Sequence, residues 1–177
     1  VGAMLQALLA GRGERYRLAE FQSRATRRIL EGLAARRSNG TLVSAGTGSG
    51  KTLAFYLPAM ARVGALRLRQ GQGTGWVKLL AIYPRTELLR DQFAEVYAEA
   101  RRLDGLLNAR GAGKIRIGAL FGETPHSATW LKRSDRDSWR RTAEGRVCGY
   151  MTCPQPACDG ELLWRNKDLE QGREQLI

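Results

Sequence analysis

A glycine-rich loop that ends in lysine and threonine is the stretch best suited to chemistry. Residues 44–52 read SAGTGSGKT, with the spacing Ala45-x-x-x-x-Gly50-Lys51-Thr52. Glycines let backbone N–H groups converge on a phosphate, and a helix that begins there adds its positive dipole end. Lys51 would reach the β- and γ-phosphate oxygens, and the Thr52 hydroxyl would ligate Mg²⁺. The loop therefore predicts a nucleoside triphosphate site, the alternative being a glycine-rich turn that contains a lysine. Its residues are Gly46, Thr47, Gly48, Ser49, Gly50, Lys51 and Thr52.

A cluster of cysteines near the end of the sequence is the second candidate site. Cys153-Pro and Cys158-Asp-Gly resemble one knuckle of a zinc ribbon, and Cys148 precedes them. A closed zinc site needs four ligands. We interpret Cys153 and Cys158 as half of a ribbon whose second pair lies beyond Ile177, with Cys148 as a weaker candidate. His126 is too far upstream to complete the site, and three ordinary thiols are the alternative.

The elements that must position the glycine loop follow from hydrophobic patterning. Residues 14–36 carry apolar side chains at helical spacing, which predicts an amphipathic helix. Residues 41–46, TLVSAG, predict a short strand that runs into the loop, and the apolar segment after Lys51 predicts a mostly buried helix. The loop would thus connect a strand to a helix.

Further along the chain the same alternation recurs. Residues 76–83, WVKLLAIY, predict a buried parallel strand, residues 86–103 predict a helix, and residues 114–121, KIRIGALF, predict a third strand. Strands that alternate with helices indicate βαβ units with right-handed crossovers. The expected fold is a three-layer α/β domain with a parallel sheet, plus a small cysteine-containing insertion.

The amino-acid composition of the sequence changes after Pro125. Residues 126–146 are polar and charged, with two tryptophans among basic residues, and the cysteines follow. We divide the chain into a helical segment (1–37), an α/β core (38–145) and a partial zinc-ribbon-like insertion (146–177). The basic and aromatic side chains could clamp a nucleic-acid strand or line a solvated helix; they are Trp130, Lys132, Arg133, Arg136, Trp139, Arg140 and Arg141.

The charge balance narrows the class of partner. Lysine and arginine number 29 against 17 aspartates and glutamates, a formal net charge of +12. Such a balance favours an anionic partner, most often nucleic acid, although a solvated basic surface would look the same. No apolar run approaches the roughly 20 residues that span a bilayer, and no secretory signal is visible. We expect a cytoplasmic protein with no membrane partner.

Four segments, taken in order, resemble motifs of the superfamily 2 DEAD/DEAH-type helicases. AGTGSGKT followed by LAFYLPAM is similar to motif I, and YPRTELLRDQ at residues 83–92 is similar to motif Ia. LFGETP at residues 120–125 resembles a segment of the Hrq1/MrfA-like branch. FQSRA at residues 21–25 lies where that family has its adenine-reading glutamine. The resemblance implies the N-terminal RecA-like domain of such a helicase.

The resemblance also implies roles for particular residues. Gln22 would hydrogen-bond the adenine edge beside Phe21, although it could be a plain surface residue. Arg85 and Thr86 stand in the reverse of the usual Thr-Arg order, and Thr86 could be only a helix N-cap. Residues 122–125 could be a simple turn. The positions implied to hold single-stranded nucleic acid are Pro84, Arg85, Thr86, Gln92, Gly122, Thr124 and Pro125.

The implied activity is ATP-dependent helicase or translocase action with ATP and Mg²⁺, on DNA rather than RNA, in DNA repair or phage defence. The sequence contains no Asp-Glu-x-His or Asp-Glu-x-Asp run, which would supply the motif II carboxylates. We therefore expect this stretch to bind nucleotide but to need the rest of the helicase chain for hydrolysis. The alternatives are a kinase or GTPase with a similar loop, and a non-catalytic zinc-containing nucleic-acid-binding module.

Overall fold

The fold is described from a computed structural model, which covers residues 1–13, 16–35, 38–46, 48–70, 76–122, 124–125, 127–133, 139–153, 158 and 160–171. The chain divides into two compact units, Val1–Ala81 with Glu99–Arg116, and Ile82–Ala98 with Ile117–Ile177. The elements in chain order are α1 (Gly2–Ala10), α2 (Glu20–Ala34), α3 (Lys51–Gln70), α4 (Thr86–Arg102), α5 (Asp104–Asn108), α6 (Ala128–Arg133), β1 (Gly145–Thr152), β2 (Glu161–Arg165) and α7 (Asn166–Glu170).

The first unit is built around α3, against which α1, α2 and α5 pack. The buried side chains of α3 recur every three or four residues, which places an apolar face toward its neighbours. A Cβ on Gly64 would lie 3.1 Å from Leu103 and closer still to Met4, so the absence of a side chain there lets α1 approach. Glu99, which is buried, pairs with Arg12 from the segment after α1. Helix α3 corresponds to the mostly buried helix that the sequence predicts after the loop.

The start of α2 differs from the sequence prediction and has a local cause. The helix begins at Glu20 rather than at residue 14. Ala19 is extended and has no side chain that can cap, but the side chain of Gln22 accepts a hydrogen bond from the Ala19 N–H at 2.9 Å. That bond satisfies an N–H at the start of the helix, which is half of a capping box.

The second unit has its own apolar core. Its described strands, β1 and β2, pair antiparallel with Gly145 opposite Arg165, and the register is irregular between Val147 and Thr152. The rings of Trp139 and Trp164 lie 6.3 Å apart and are tilted by 58°. Trp139 is thus buried and unavailable to stack on a nucleic-acid base. The core comprises Leu131, Trp139, Cys148, Met151, Trp164 and Leu169, with Phe93, Ala94, Tyr97, Trp130 and Leu162 packed against it.

The parallel sheet predicted from the sequence is absent from the part of the chain that the structure describes. Segments 41–46, 76–83 and 114–121 contain no strand there, and the sheet that is present is the β1–β2 hairpin. Leu42, Ile82 and Leu120 are exposed by 94%, 83% and 87%. Parallel strands are stable when each is paired and covered on both faces, and these segments lack both. Among the described helices none is long and apolar enough to cross a membrane.

Candidate nucleotide-binding site

The glycine loop of the first unit has the backbone geometry that its sequence predicts. Gly48 and Gly50 have φ angles of 72° and 76°, a left-handed conformation that side chains disfavour. The hydroxyl of Ser49 donates to the Gly46 carbonyl at 2.6 Å, which tightens the turn. Helix α3 then begins at Lys51, so its N-terminus follows the loop directly. Thr47, predicted to belong to the site, lies outside the described residues.

The side chain of Lys51 folds back over the loop. Its ammonium group donates to the carbonyls of Ala45 and Gly46, at 2.7 and 2.5 Å. An ammonium group has three donors, so one remains for a phosphate oxygen even in this arrangement. Thr52, the second residue of α3, is half-buried beside it in sequence. The loop thus brings one cation and one hydroxyl to the start of a helix, as phosphate and Mg²⁺ binding require.

Gln22 lies against the loop, although it is 28 positions away from Gly50 in the sequence. Its Nε2 donates to the Gly50 carbonyl at 3.0 Å, while its Oε1 accepts from Ala19. The side chain is 5% exposed, so it is not the surface helix residue considered above. A Cβ on Gly50 would lie 2.8 Å from that Nε2, a second reason for glycine there. Sequence spacing alone carries no sign of this contact.

The segment that resembles motif Ia lies in the second unit. Pro84, Arg85 and Thr86 are exposed, and α4 begins at Thr86. The Leu89 N–H donates to the Arg85 carbonyl at 3.2 Å, so Arg85 occupies the N-cap position and Thr86 the first helical one. The Arg85 side chain and the N-terminus of α4 therefore both face solvent, where an anionic ligand can reach them.

Several polar atoms near this segment are buried without a hydrogen-bond partner among the described residues, and two of them bear on the candidate site. They are the Tyr83 hydroxyl and Gln92 Oε1. Burial raises the pKa of Tyr83, and the negative charge of Glu95 raises it further. The predicted nucleic-acid residue Gln92 is thus half-buried, with its acceptor turned away from solvent.

In the segment 120–125, the hydroxyl of Thr124 is already engaged by Phe121. Thr124 Oγ1 accepts from the Phe121 N–H at 2.8 Å, and the Thr124 N–H donates to the Phe121 carbonyl at 2.9 Å. Gly122 is exposed and Pro125 is half-buried. A phosphate contact by Thr124 would have to compete with its hydrogen bond to Phe121.

The cysteine pair sits at the tip of the β1–β2 hairpin. The Cys153 N–H donates to the Gly160 carbonyl at 2.8 Å, and Cys158 is exposed. Hydrogen bonds from the Gly160 backbone and from the Cys153 thiol lower the pKa of Cys158. Cys148 is instead buried in the core of the unit. Within the described residues no three His, Cys, Asp or Glu side chains converge as a metal site, and His126 lies outside them.

Comparison with known proteins adds a family to this geometry. Residues 19–129 match the family model for the DEAD/DEAH box helicases. The Druantia protein DruE of Escherichia coli (strain UMEA 4076-1) is 27% identical over 114 residues, which cover 60% of this chain and 6% of that protein. The ATP-dependent RNA helicase DDX18 of Homo sapiens is 38% identical over 76 residues, 43% of this chain and 10% of that protein. The chain thus spans a small part of these curated relatives, and no solved structure gives a significant match.

Proposed function

The chain belongs to the DEAD/DEAH box helicase family, and from that premise we propose that it is the ATP-binding part of an ATP-dependent helicase or translocase. The observation that carries the proposal is the hydrogen bond from Gln22 to the Gly50 carbonyl. It joins the glutamine of the predicted base-reading segment to the predicted phosphate loop. Both segments fall within the residues that match the family.

In the proposed complex the loop amides and Lys51 hold the β- and γ-phosphates. The helix dipole of α3 favours the same negative charge. Thr52 offers a hard hydroxyl oxygen of the kind that Mg²⁺ prefers, so this donor fits the ion. Mg²⁺, when bound, neutralises phosphate charge. Lys51 would exchange a loop carbonyl for a phosphate oxygen as nucleotide enters.

Gln22 is proposed to select adenine. Its amide keeps one donor and one acceptor after the bonds to Gly50 and Ala19, because an amide offers two of each. Adenine presents an acceptor at N7 and a donor at N6, which matches that pair, whereas guanine presents two acceptors. ATP should therefore bind more tightly than GTP, which also separates this proposal from a GTPase.

Single-stranded nucleic acid is proposed to contact the second unit at the start of α4. The exposed Arg85 and the backbone N–H groups at the start of α4 can hold phosphates without reading bases. Gly122, Thr124 and Pro125 would extend that contact. We propose DNA as the substrate and the Hrq1/MrfA-like branch as the position in the family, on the LFGETP segment. Hydrolysis would require motif II and a second motor domain from the whole protein.

Zinc is not part of the proposed function. A closed structural zinc site takes four ligands, whereas the described hairpin brings together the two thiols of Cys153 and Cys158. Cys148 packs in the core instead. The described residues therefore do not fit such a site.

Nucleotide binding tests the proposal. We would measure the affinity for ATP and GTP with Mg²⁺ for the wild type, Lys51→Ala and Gln22→Ala. Loss of a hydrogen bond to a charged group costs about 1.5–3 kcal/mol, so Lys51→Ala should weaken ATP binding by roughly tenfold or more. Gln22→Ala should remove the preference for ATP over GTP. The exposed Lys167→Ala and Gln6→Ala are matched controls. Equal affinity for both nucleotides, or no effect of Lys51→Ala, would overturn the proposal.

A further inference from the structure

The tip of the β1–β2 hairpin holds two cysteines that the proposed function does not use. Strand β1 ends at Thr152 and β2 begins at Glu161. The hydrogen bond from the Cys153 N–H to the Gly160 carbonyl, 2.8 Å long, continues the pairing beyond both strands. This bond holds the backbone at Cys153 against the backbone at Gly160, which lies two residues after Cys158.

Gly160 borders both sulfur-bearing side chains. A Cβ built on this glycine would lie 3.2 Å from the Cys158 sulfur and 3.9 Å from the Cys153 Cβ. Both cysteine side chains thus border the same position, where glycine has no side chain. The backbone pairing and the shared position at Gly160 thus hold the two cysteine side chains next to each other, as a disulfide requires.

We propose that Cys153 and Cys158 form a thiol–disulfide exchange site that closes to an intramolecular disulfide across the hairpin tip. Cys158 is the exposed member and Cys153 the half-buried one. The Cys158 thiolate attacks one sulfur of a small disulfide such as oxidised glutathione, whose S–S bond breaks and releases one glutathione thiolate. The Cys153 thiolate then attacks the Cys158 sulfur and releases the second glutathione.

The reaction balances in atoms and electrons. Two protein thiols are oxidised to one disulfide, one glutathione disulfide is reduced to two thiols, and the two protein protons end on the released glutathiones. Cys148 takes no part, because it is 6% exposed and packs in the hydrophobic core. The reaction does not depend on the proposed nucleotide site, so the two proposals can fail separately.

The test is intact-mass analysis of the full chain treated with oxidised glutathione. The wild type should lose the mass of two hydrogen atoms and keep no glutathione, with Cys153 and Cys158 joined in the peptide map. Cys153→Ser should instead retain one glutathione on Cys158, because nothing can displace it. Cys148→Ser should react as the wild type does. Circular dichroism and urea unfolding of each variant would show that the fold is intact.

Three results would overturn the proposal. The wild type could retain a glutathione adduct, or it could form a disulfide between two copies or with Cys148. Alternatively, the purified chain could carry one zinc ion and its thiols could react only after a chelator removes it. The last result would assign these cysteines to a metal site that includes ligands outside the described residues.

Discussion

Gly50 meets two structural requirements in one residue. Its φ of 76° is accessible mainly to glycine, and a side chain there would meet the Gln22 amide. The first requirement can be predicted, because the spacing of the loop is local in sequence. The second cannot, because the partners are 28 positions apart in the sequence and the contact exists only once α2 has packed on α3. Local chemistry was therefore predictable here, and tertiary contacts were not.

Gly50→Ala should weaken both the fold of the loop and ATP binding. A non-glycine residue at positive φ costs on the order of 1–3 kcal/mol, and the new methyl group would also push the Gln22 amide away from the Gly50 carbonyl. The free energy of unfolding in urea and the ATP affinity would be measured together. Gly40→Ala is the control, since no atom lies within 4 Å of its added Cβ. Equal behaviour of the two variants would contradict the strained loop.

Tyr83 should make stability depend on pH in the alkaline range. Burial and Glu95 raise its pKa above the ordinary 10.0, so the folded protein holds this proton more tightly than the unfolded chain does. The resulting stabilisation is complete below pH 10 and is lost as the pH rises through the folded-state pKa. Unfolding curves at several alkaline pH values would show the loss, and Tyr83→Phe should flatten it. A variant with the same alkaline slope as the wild type would rule out this origin.

The elements differ in how well sequence predicts them. Helix α4 spans Thr86–Arg102 where the pattern predicts residues 86–103, because one amphipathic helix carries its own periodicity. A parallel strand is not specified by its own sequence in this way, because its hydrogen bonds are made with neighbouring strands. An apolar run such as WVKLLAIY is buried only where partner strands pair with it. In this structure it is not buried, and Leu80 is 75% exposed. Element type was predictable for helices and not for the sheet.

Gly145→Ala should disrupt the β1–β2 hairpin. A Cβ at this position would overlap the Trp164 carbonyl oxygen and lie 2.9 Å from the Arg165 Cα, and backbone atoms cannot rotate away. Overpacking costs about 1–3 kcal/mol or more, and it should disturb the Trp139–Trp164 contact in the same unit. Tryptophan fluorescence during urea unfolding would report the change.

Gly118→Ala is the matched control for that experiment. It lies in the same unit, and no atom comes within 4 Å of its added Cβ. Its unfolding midpoint should remain close to that of the wild type. If Gly145→Ala unfolds at the same urea concentration as Gly118→Ala, the close backbone contact between β1 and β2 is refuted.

At the scale of the whole molecule, the net charge of +12 and the exposed start of α4 make different contributions to nucleic-acid binding. The net charge attracts any polyanion, whereas a side chain at a helix terminus contacts one phosphate. The two contributions can be distinguished by varying the salt concentration, because each phosphate contact on a single strand contributes about −0.7 to the slope of log affinity against log salt. Arg85→Ala should therefore weaken binding to single strands and make that slope shallower by roughly one contact. Arg110→Ala removes the same charge from an exposed position in the other unit. An equal change in slope for both variants would mean that net charge alone binds the strand, and that the start of α4 is not the contact.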